Sequence, residues 1–238
     1  MRQFILTCVF PAIFLSAAAA ALAQTEPEKP AETTAPQTAP AEASESAAPV
    51  DWAARATEAY LAAYKESCAS TDDIDKIEAR KPEAYDLKFR FVSDDADIPD
   101  HVVTLYRFFC NRGAYNETHV FFMRTEAPDL VPVSFAEPEL HVRYENEDSE
   151  GKVLGVDITG WRASAMLVNS AVDPAKNTVT SASKWRGAGD ASSSGAWILK
   201  DGNFVLSTYE VDASYDGEIN LQSIADYRAA NETLNETP

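Results

Sequence analysis

A four-residue recurrence opens the ordered part of the chain. Trp52, Ala56, Tyr60, Tyr64 and Cys68 repeat at that interval, with Ala59 and Ala63 beside them, and so share one face of a helix. Asp51 stands where an N-cap belongs. An aromatic stripe at this spacing reads as core rather than as a ligand platform. "STDDIDKIEARKP" predicts a second, short helix: Ser70 and Asp73 have capping-box spacing, and Pro82 stops it.

After Pro82 the period drops to two. "YDLKFRFV" alternates Tyr85, Leu87, Phe89 and Phe91 against Asp86, Lys88 and Arg90, which predicts a strand. "HVVTLYRFFC" and "THVFFMRT" flank the hairpin loop "NRGAYNE", and "LVPVSFA", "ELHVRY", "GKVLGVDIT" and "NTVTSASKW" read as further strands. In "GAWILKDGNFVLSTYEV", Asp201-Gly202 is a type I′ turn signal. A two-residue turn there pairs Lys200 with Asn203, Leu199 with Phe204, Ile198 with Val205 and Trp197 with Leu206. Trp197, Leu199, Phe204 and Leu206 then share one face, and Ile198 and Val205 fill the other. A hairpin apolar on both faces belongs inside a sheet. "LQSIADYRAA" is a closing helix or a strand ending in a tail. The fold class is mostly antiparallel β, a sandwich or a partly closed barrel, with an N-terminal helix, α+β overall.

The N-terminus departs from both periods. "MRQFILTCVFPAIFLSAAAAALAQ" has Arg2 as a positive n-region, an apolar h-region and an A-x-A site at Ala21-Leu22-Ala23. That is a secretory signal peptide over 1–23, cleaved near Ala23. Its apolar core is shorter than the roughly 20 residues a spanning helix needs, which argues against a membrane anchor. Residues 24–50 are mostly Pro, Ala, Thr and Glu with Val50 at the end, a linker without enough apolar surface to order itself. One domain then runs over 51–230, and 231–238 is a tail. The expected location is periplasmic or secreted, with no membrane span in the mature chain.

Charge narrows the partners. The chain has 20 Lys and Arg against 38 Asp and Glu, a net charge of -18. Loss of Arg2 with the leader takes -18 to -19. Nucleic acid is disfavoured, because phosphate binding needs Lys and Arg clusters. Once Cys8 is removed, Cys68 and Cys110 remain. In an oxidising compartment they read as one disulfide; two free buried thiols are the alternative.

Candidate chemistry is sparse. His101, His119 and His141 lie in separate strands without metal-ligand spacing, and no H-x₃-H, H-E-x-x-H or C-x-x-C occurs. The acidic runs 94–100 and 145–151 fall between strands and lack the EF-hand pattern, so they read as solvated turns rather than calcium loops. "SKWRGAGDASSSGAW" places Lys184, Arg186 and Asp190 around Gly187 and Gly189. It is not a dinucleotide loop, because Ser192 stands at the third glycine position and a strand follows. It is not a serine elbow either. A small anion nest or a plain inter-strand turn remains. No cofactor, metal or catalytic set is expected.

"CNRGAYNE" (110–117), "VPVSFAEPEL" (131–140) and "SKWRGAGDASSSGAWILKDGNFVL" (183–206) occur in an order and spacing that resembles the bacterial domain-of-unknown-function family 1176. The likeness covers roughly residues 60–230 and looks like the C-terminal half of longer members. Two departures matter. Ala191 stands where the family pattern has Cys after Gly-Asp, and Tyr215 or Asp216 stands where a second Cys usually precedes the Gly of "SYDGE". Paired cysteines lost together imply a turn that lost a staple, with Asp190 expected to hold it by pairing with a neighbouring Arg. The resemblance implies export and carries no reaction.

These features favour an exported, non-catalytic binding or inhibitor-like module of the cell envelope, whose partner is an envelope protein or a glycan. The turn residues Lys184, Arg186, Gly187, Gly189 and Asp190 are its candidate contact surface or a structural element. The alternatives are an envelope hydrolase whose site meets only in space and a binder of a small anion or calcium.

Overall fold

The computed structural model describes residues 49–68, 81–127 and 129–233. The leader, the linker as far as residue 48, most of the helix expected after Ser70 and the end of the tail lie outside the described residues. Asp51 caps the first helix, α1 (Trp52–Tyr64), with its carboxylate accepting from the Ala54 N–H at 3.0 Å. Twelve strands follow among the described residues: β1 (Glu83–Phe89), β2 (His101–Arg112), β3 (Glu117–Arg124), β4 (Leu130–Pro132), β5 (Phe135–Tyr144), β6 (Val153–Ser164), β7 (Met166–Val168), β8 (Ala171–Asp173), β9 (Thr178–Lys184), β10 (Ser192–Lys200), β11 (Asn203–Asp212) and β12 (Gln222–Asp226). A short helix, α2 (Arg228–Thr233), comes after β12, so "LQSIADYRAA" is a strand that runs into a helix.

All the ladders are antiparallel. The first sheet runs β1-β2-β3-β4, with β7 also on β3; the second runs β12-β11-β10-β9-β8. The two do not close into a barrel. β5 and β6 leave them as a two-stranded ribbon. Pro138 fits inside β5 because that strand is paired on one side only, so its missing N–H breaks no second ladder. The β10–β11 hairpin has the register expected from its turn, from Lys200 opposite Asn203 to Trp197 opposite Leu206. Asp201 and Gly202 both have positive φ, 48° and 75°, as a type I′ turn requires. Both strands are internal to their sheet, in keeping with their two apolar faces.

One core lies between the sheets. Leu87, Val103, Leu105, Phe121 and Met123 meet Val179, Trp197, Leu199, Leu206 and Val211, with Phe135 of the ribbon packed among them. Burial of side chains this size stabilises the fold by roughly 1.5–3 kcal/mol each. Trp197 organises the middle of this core. Its indole lies across Gly195, where an added Cβ would stand 2.5 Å from a ring carbon, so only glycine fits. Its Nε1 donates to the Ala136 carbonyl at 2.9 Å and so ties β10 to the start of the ribbon.

A second, smaller core covers the outer face of the first sheet. The helical stripe packs there: Ala56, Tyr60 and Cys68 with Tyr106, Phe108, Cys110, Val120 and Phe122. Tyr60 stacks on Phe108 at 4.6 Å and donates to the Phe109 carbonyl at 2.9 Å. Trp52, at the other end of the stripe, lies under the Arg124 guanidinium at 4.9 Å. The helix ends at Tyr64, and the next turn delivers Cys68 to Cys110, where the two form a disulfide across 42 residues. No described helix is long and apolar enough to cross a membrane.

The disulfide closes a long loop and anchors a helix that contacts one face of one sheet. Replacing both cysteines with serine is expected to lower stability by roughly 3–4 kcal/mol in the chain-entropy account. Urea titration of the variant against the oxidised wild type measures it, and coincident unfolding midpoints would refute it.

Candidate functional site

The turn joining β9 to β10 is held from inside. Asp190 is 2% exposed. Arg186 grips it with two donors, Nε at 2.7 Å and Nη2 on the other oxygen, and the same Nη2 reaches the Tyr215 carbonyl at 3.0 Å. The Gly217 N–H donates to the Asp190 carboxylate at 3.0 Å, and the Tyr215 ring lies under the guanidinium at 5.0 Å. The ion pair lies within the β9–β10 turn, and the further hydrogen bonds of its two members to Tyr215 and Gly217 join that turn to the segment after β11. Arg186, with help from the Gly217 amide and against the cost of burial, holds the Asp190 carboxyl well below the usual carboxylate range. Asp212 works beside it. Burial opposes its ionised form, but Ser214 and the Asn220 N–H outweigh that and lower its pKa.

Gly189 has φ 78°, a conformation that disfavours side chains, and the stem of Lys184 lies against it. Gly187 has neither constraint; a Cβ there would make ordinary contact with the Tyr115 ring. The amides of Trp185 and Gly189 bond to carbonyls of the turn itself. Ser192, Ser193 and Ser194 are not loop residues: they begin β10, because each finds a ladder partner in β9 and β11. The five turn residues are thus brought together, and Arg186 and Asp190 are engaged with each other.

The histidines stay apart. His101 has Nδ1 on Glu126 at 2.6 Å and Nε2 facing Asp94 at 3.2 Å, and Glu126 raises its pKa. His119 is buried beside Arg107, and burial lowers its pKa. His141 lies on β5, opposite Asp157. The acidic run 94–100 wraps around Arg90, which donates to the Asp95 and Ile98 carbonyls. Among the described residues no cluster of three His, Cys, Asp or Glu side chains could hold a metal ion.

A different place gathers polar side chains. Along the inner face of the second sheet, β9 presents Val179, then Ser181 and Ser183; β10 presents Trp197 and Gly195, then Ser193; β11 presents Leu206, then Tyr209. The face that is core at one end becomes hydroxyl-lined at the other. Glu137 of β5 and Arg162 of β6 stand opposite each other in the ribbon and complete the lining with Trp185. The resulting cleft has a volume of about 370 Å³. Glu137, Ser181, Ser193 and Tyr209 are each only 7–8% exposed.

Contacts order this cleft. Arg162 donates to one oxygen of Glu137, Oε2, through Nε at 3.2 Å and Nη2 at 2.9 Å, and the pairing raises the guanidinium pKa. Trp185 Nε1 donates to Ser193 Oγ at 3.3 Å, and Ser181 Oγ donates to the Val168 carbonyl at 3.0 Å. Tyr209 has its pKa raised by burial, partly offset by its hydrogen bond with Ser193. Apart from Trp185, which comes from the β9–β10 turn, the named lining residues stand on strands, which hold them in place.

The three motif segments meet around it. From the first, Tyr115 donates to the Trp185 carbonyl at 3.3 Å, and Asn116 donates to the Lys184 carbonyl at 2.8 Å. Asn169, held at φ 44°, donates to Asn116 and to the Ala182 carbonyl, both at 2.8 Å. The second segment supplies Ala136, the acceptor for Trp197, and Glu137. The third supplies Trp185 and Ser193. Sequence reasoning missed Glu137, Arg162, Ser181, Ser193 and Tyr209. A signal was present in "TVTSASK", where the inward positions of an internal strand pass from valine to serine.

The ion pair of Asp190 predicts an acid-sensitive fold. An unfolded Asp takes up its proton near about pH 4, and the folded one does so at lower pH. The pair's contribution is therefore complete above about pH 4 and is lost as pH falls through the folded value. Asp190→Asn is expected to lower stability at neutral pH and to flatten the loss of stability below about pH 4. Urea titrations over that range test this, and an acid limb parallel to the wild type would refute it.

No curated protein and no solved structure matches the chain. A family model described as protein of unknown function (DUF1176) matches residues 16–218, a span that takes in all three motif segments and every cleft residue named above, and the chain belongs to that family.

Proposed function

We propose that this chain is an exported, non-catalytic binding module of the cell envelope, and that the cleft between the β5–β6 ribbon and strands β9, β10 and β11 is its ligand seat. One observation carries the reading. An inner sheet face that should continue as core instead buries Ser181, Ser193, Tyr209 and Glu137 around open space of about 370 Å³. Buried polar groups oppose folding unless they are paired, so a fold optimised for stability alone would place apolar side chains there. A cavity of this size with a few convergent polar groups is the usual form of a small-molecule site.

Export is supported by the leader pattern before Gln24 and by the disulfide, which persists in oxidising compartments. The binding role is supported by the neighbours of Ser193, the only cleft serine with two side-chain partners named above. They are the Trp185 indole, a donor, and the Tyr209 phenol, which burial keeps protonated, so neither takes a proton from Ser193. The turn residues Lys184, Arg186, Gly187, Gly189 and Asp190 act on this reading as the support that places Trp185 at the cleft wall.

The test uses protein purified from the envelope fraction and native mass spectrometry. The chain is expected to begin at Gln24 and to carry or take up one small molecule from the low-mass fraction of envelope extract. The molecule is expected to be released with unchanged mass and to be missing from Tyr209→Phe. An empty wild type, a ligand retained equally by Tyr209→Phe, or a ligand converted on the protein would overturn the proposal.

A further inference from the structure

We infer that the ligand of the cleft is a neutral saccharide, an inference that rests on the binding-module reading and names the chemistry of its ligand. The argument starts from hydrogen-bond capacity left open at the site. Both contacts of the Arg162–Glu137 pair converge on Glu137 Oε2. Among the described residues no protein group bonds to Glu137 Oε1 or to Arg162 Nη1. One carboxylate oxygen and one guanidinium nitrogen of the same ion pair are therefore left without a protein partner, the Glu137 side chain 9% exposed and the Arg162 side chain 58% exposed. Two neighbouring hydroxyls of a sugar ring, one donating and one accepting, match that pair.

The remaining lining fits the same class. Ser181 Oγ makes one bond within the protein and keeps acceptor capacity, whereas Ser193 Oγ is engaged by Trp185 and Tyr209. Ser183 adds a further hydroxyl, so the wall is a set of groups that each can donate or accept. Trp185, Met166 and Leu140 supply apolar surface for the C–H side of a ring. A wall that mixes hydroxyls with an indole suits a ligand whose edges are polar and whose faces are not.

Charge excludes the ionic alternatives to different degrees. The Arg162 charge is answered by Glu137, and Glu139 stands exposed at the rim. Together with a chain charge of -18, this leaves a negative local field that disfavours an anion. A polyamine would be tolerated by the field, but an ammonium has no use for the donors at Arg162 Nη1. A neutral polyol uses both halves of the pair.

Isothermal titration of the exported chain tests the inference. The probes are glucose, N-acetylglucosamine, maltotriose and chitotriose, with spermidine and citrate as charged controls. At least one saccharide is expected to bind with a stoichiometry near one. Affinity is expected to fall about tenfold or more in Glu137→Gln, which retains the volume and removes the charged acceptor. Circular dichroism checks that this variant is folded; if it is not, Ser183→Val, which fills the cleft wall, takes its place with the same expected loss. Binding of spermidine or citrate in the cleft without any saccharide would overturn the saccharide inference and leave the binding module standing. Saccharide binding that neither variant weakens would overturn the assignment to this cleft. If no probe binds while envelope extract still supplies a ligand sensitive to Tyr209→Phe, the inference fails alone. If extract supplies none, both fail.

Discussion

The indole of Trp197 is the contact on which the rest of the architecture depends. It crosses Gly195 within its own strand, packs on Phe135 at 5.3 Å and donates to the Ala136 carbonyl. Those contacts fix where β5 leaves the body of the fold. Phe135 is at the start of β5, Ala136 is the hydrogen-bond acceptor, and Glu137 is the next residue along. Anchoring Ala136 by its carbonyl therefore aims the Glu137 side chain into the cleft. Any larger residue at 195 would push the indole away, and the ribbon would lose its register against the second sheet. A core interaction is in this way also the positioning element of the candidate site.

The opposite wall is set by electrostatics rather than packing. Trp185 reaches the cleft from the turn that Arg186 and Asp190 hold closed. The ionised carboxylate accepts from Arg186 and from the Gly217 amide, and Arg186 also reaches the Tyr215 carbonyl. These contacts join the β9–β10 turn to the segment after β11. Ala191, next to Asp190, is fully buried. Breaking a buried ion pair leaves an uncompensated charge, which makes this tie strong against mutation and weak against acid. A disulfide there would be indifferent to pH, whereas the ion pair makes the turn responsive to it.

Much of the fold was legible because it follows from short-range rules. The helical stripe from Trp52 to Cys68, the capping Asp51 and the Asp201-Gly202 turn each depend on a few neighbouring residues, and the hairpin register follows from the turn alone. The strands β7 and β8 were not legible. They are three residues long, too short for a period to declare itself, and they pair because Asn169 between them adopts a positive φ and bonds to β3 and β9 partners. The three serines at the start of β10 read as loop for a related reason. Their strand character comes from being paired on both sides, a long-range property that local composition does not encode.

The candidate site was hidden for a physical reason of the same kind. Glu137 and Arg162 are twenty-five positions apart in sequence, and although Glu137 lies in the second motif segment, nothing local links it to Arg162. Their meeting depends on the ribbon register, and their meeting with Ser193 and Tyr209 depends on how the ribbon docks on the second sheet. What a sequence does carry is the polarity of inward positions. Val179, Ser181 and Ser183 alternate with outward residues on a strand that has neighbours on both sides. In a sandwich that pattern means either an unsatisfied core or an occupied one. The hydrogen bonds of Ser181 and Ser193 satisfy part of it; the Glu137 oxygen that accepts no hydrogen bond from the described residues is the part that the proposed reading gives to a ligand.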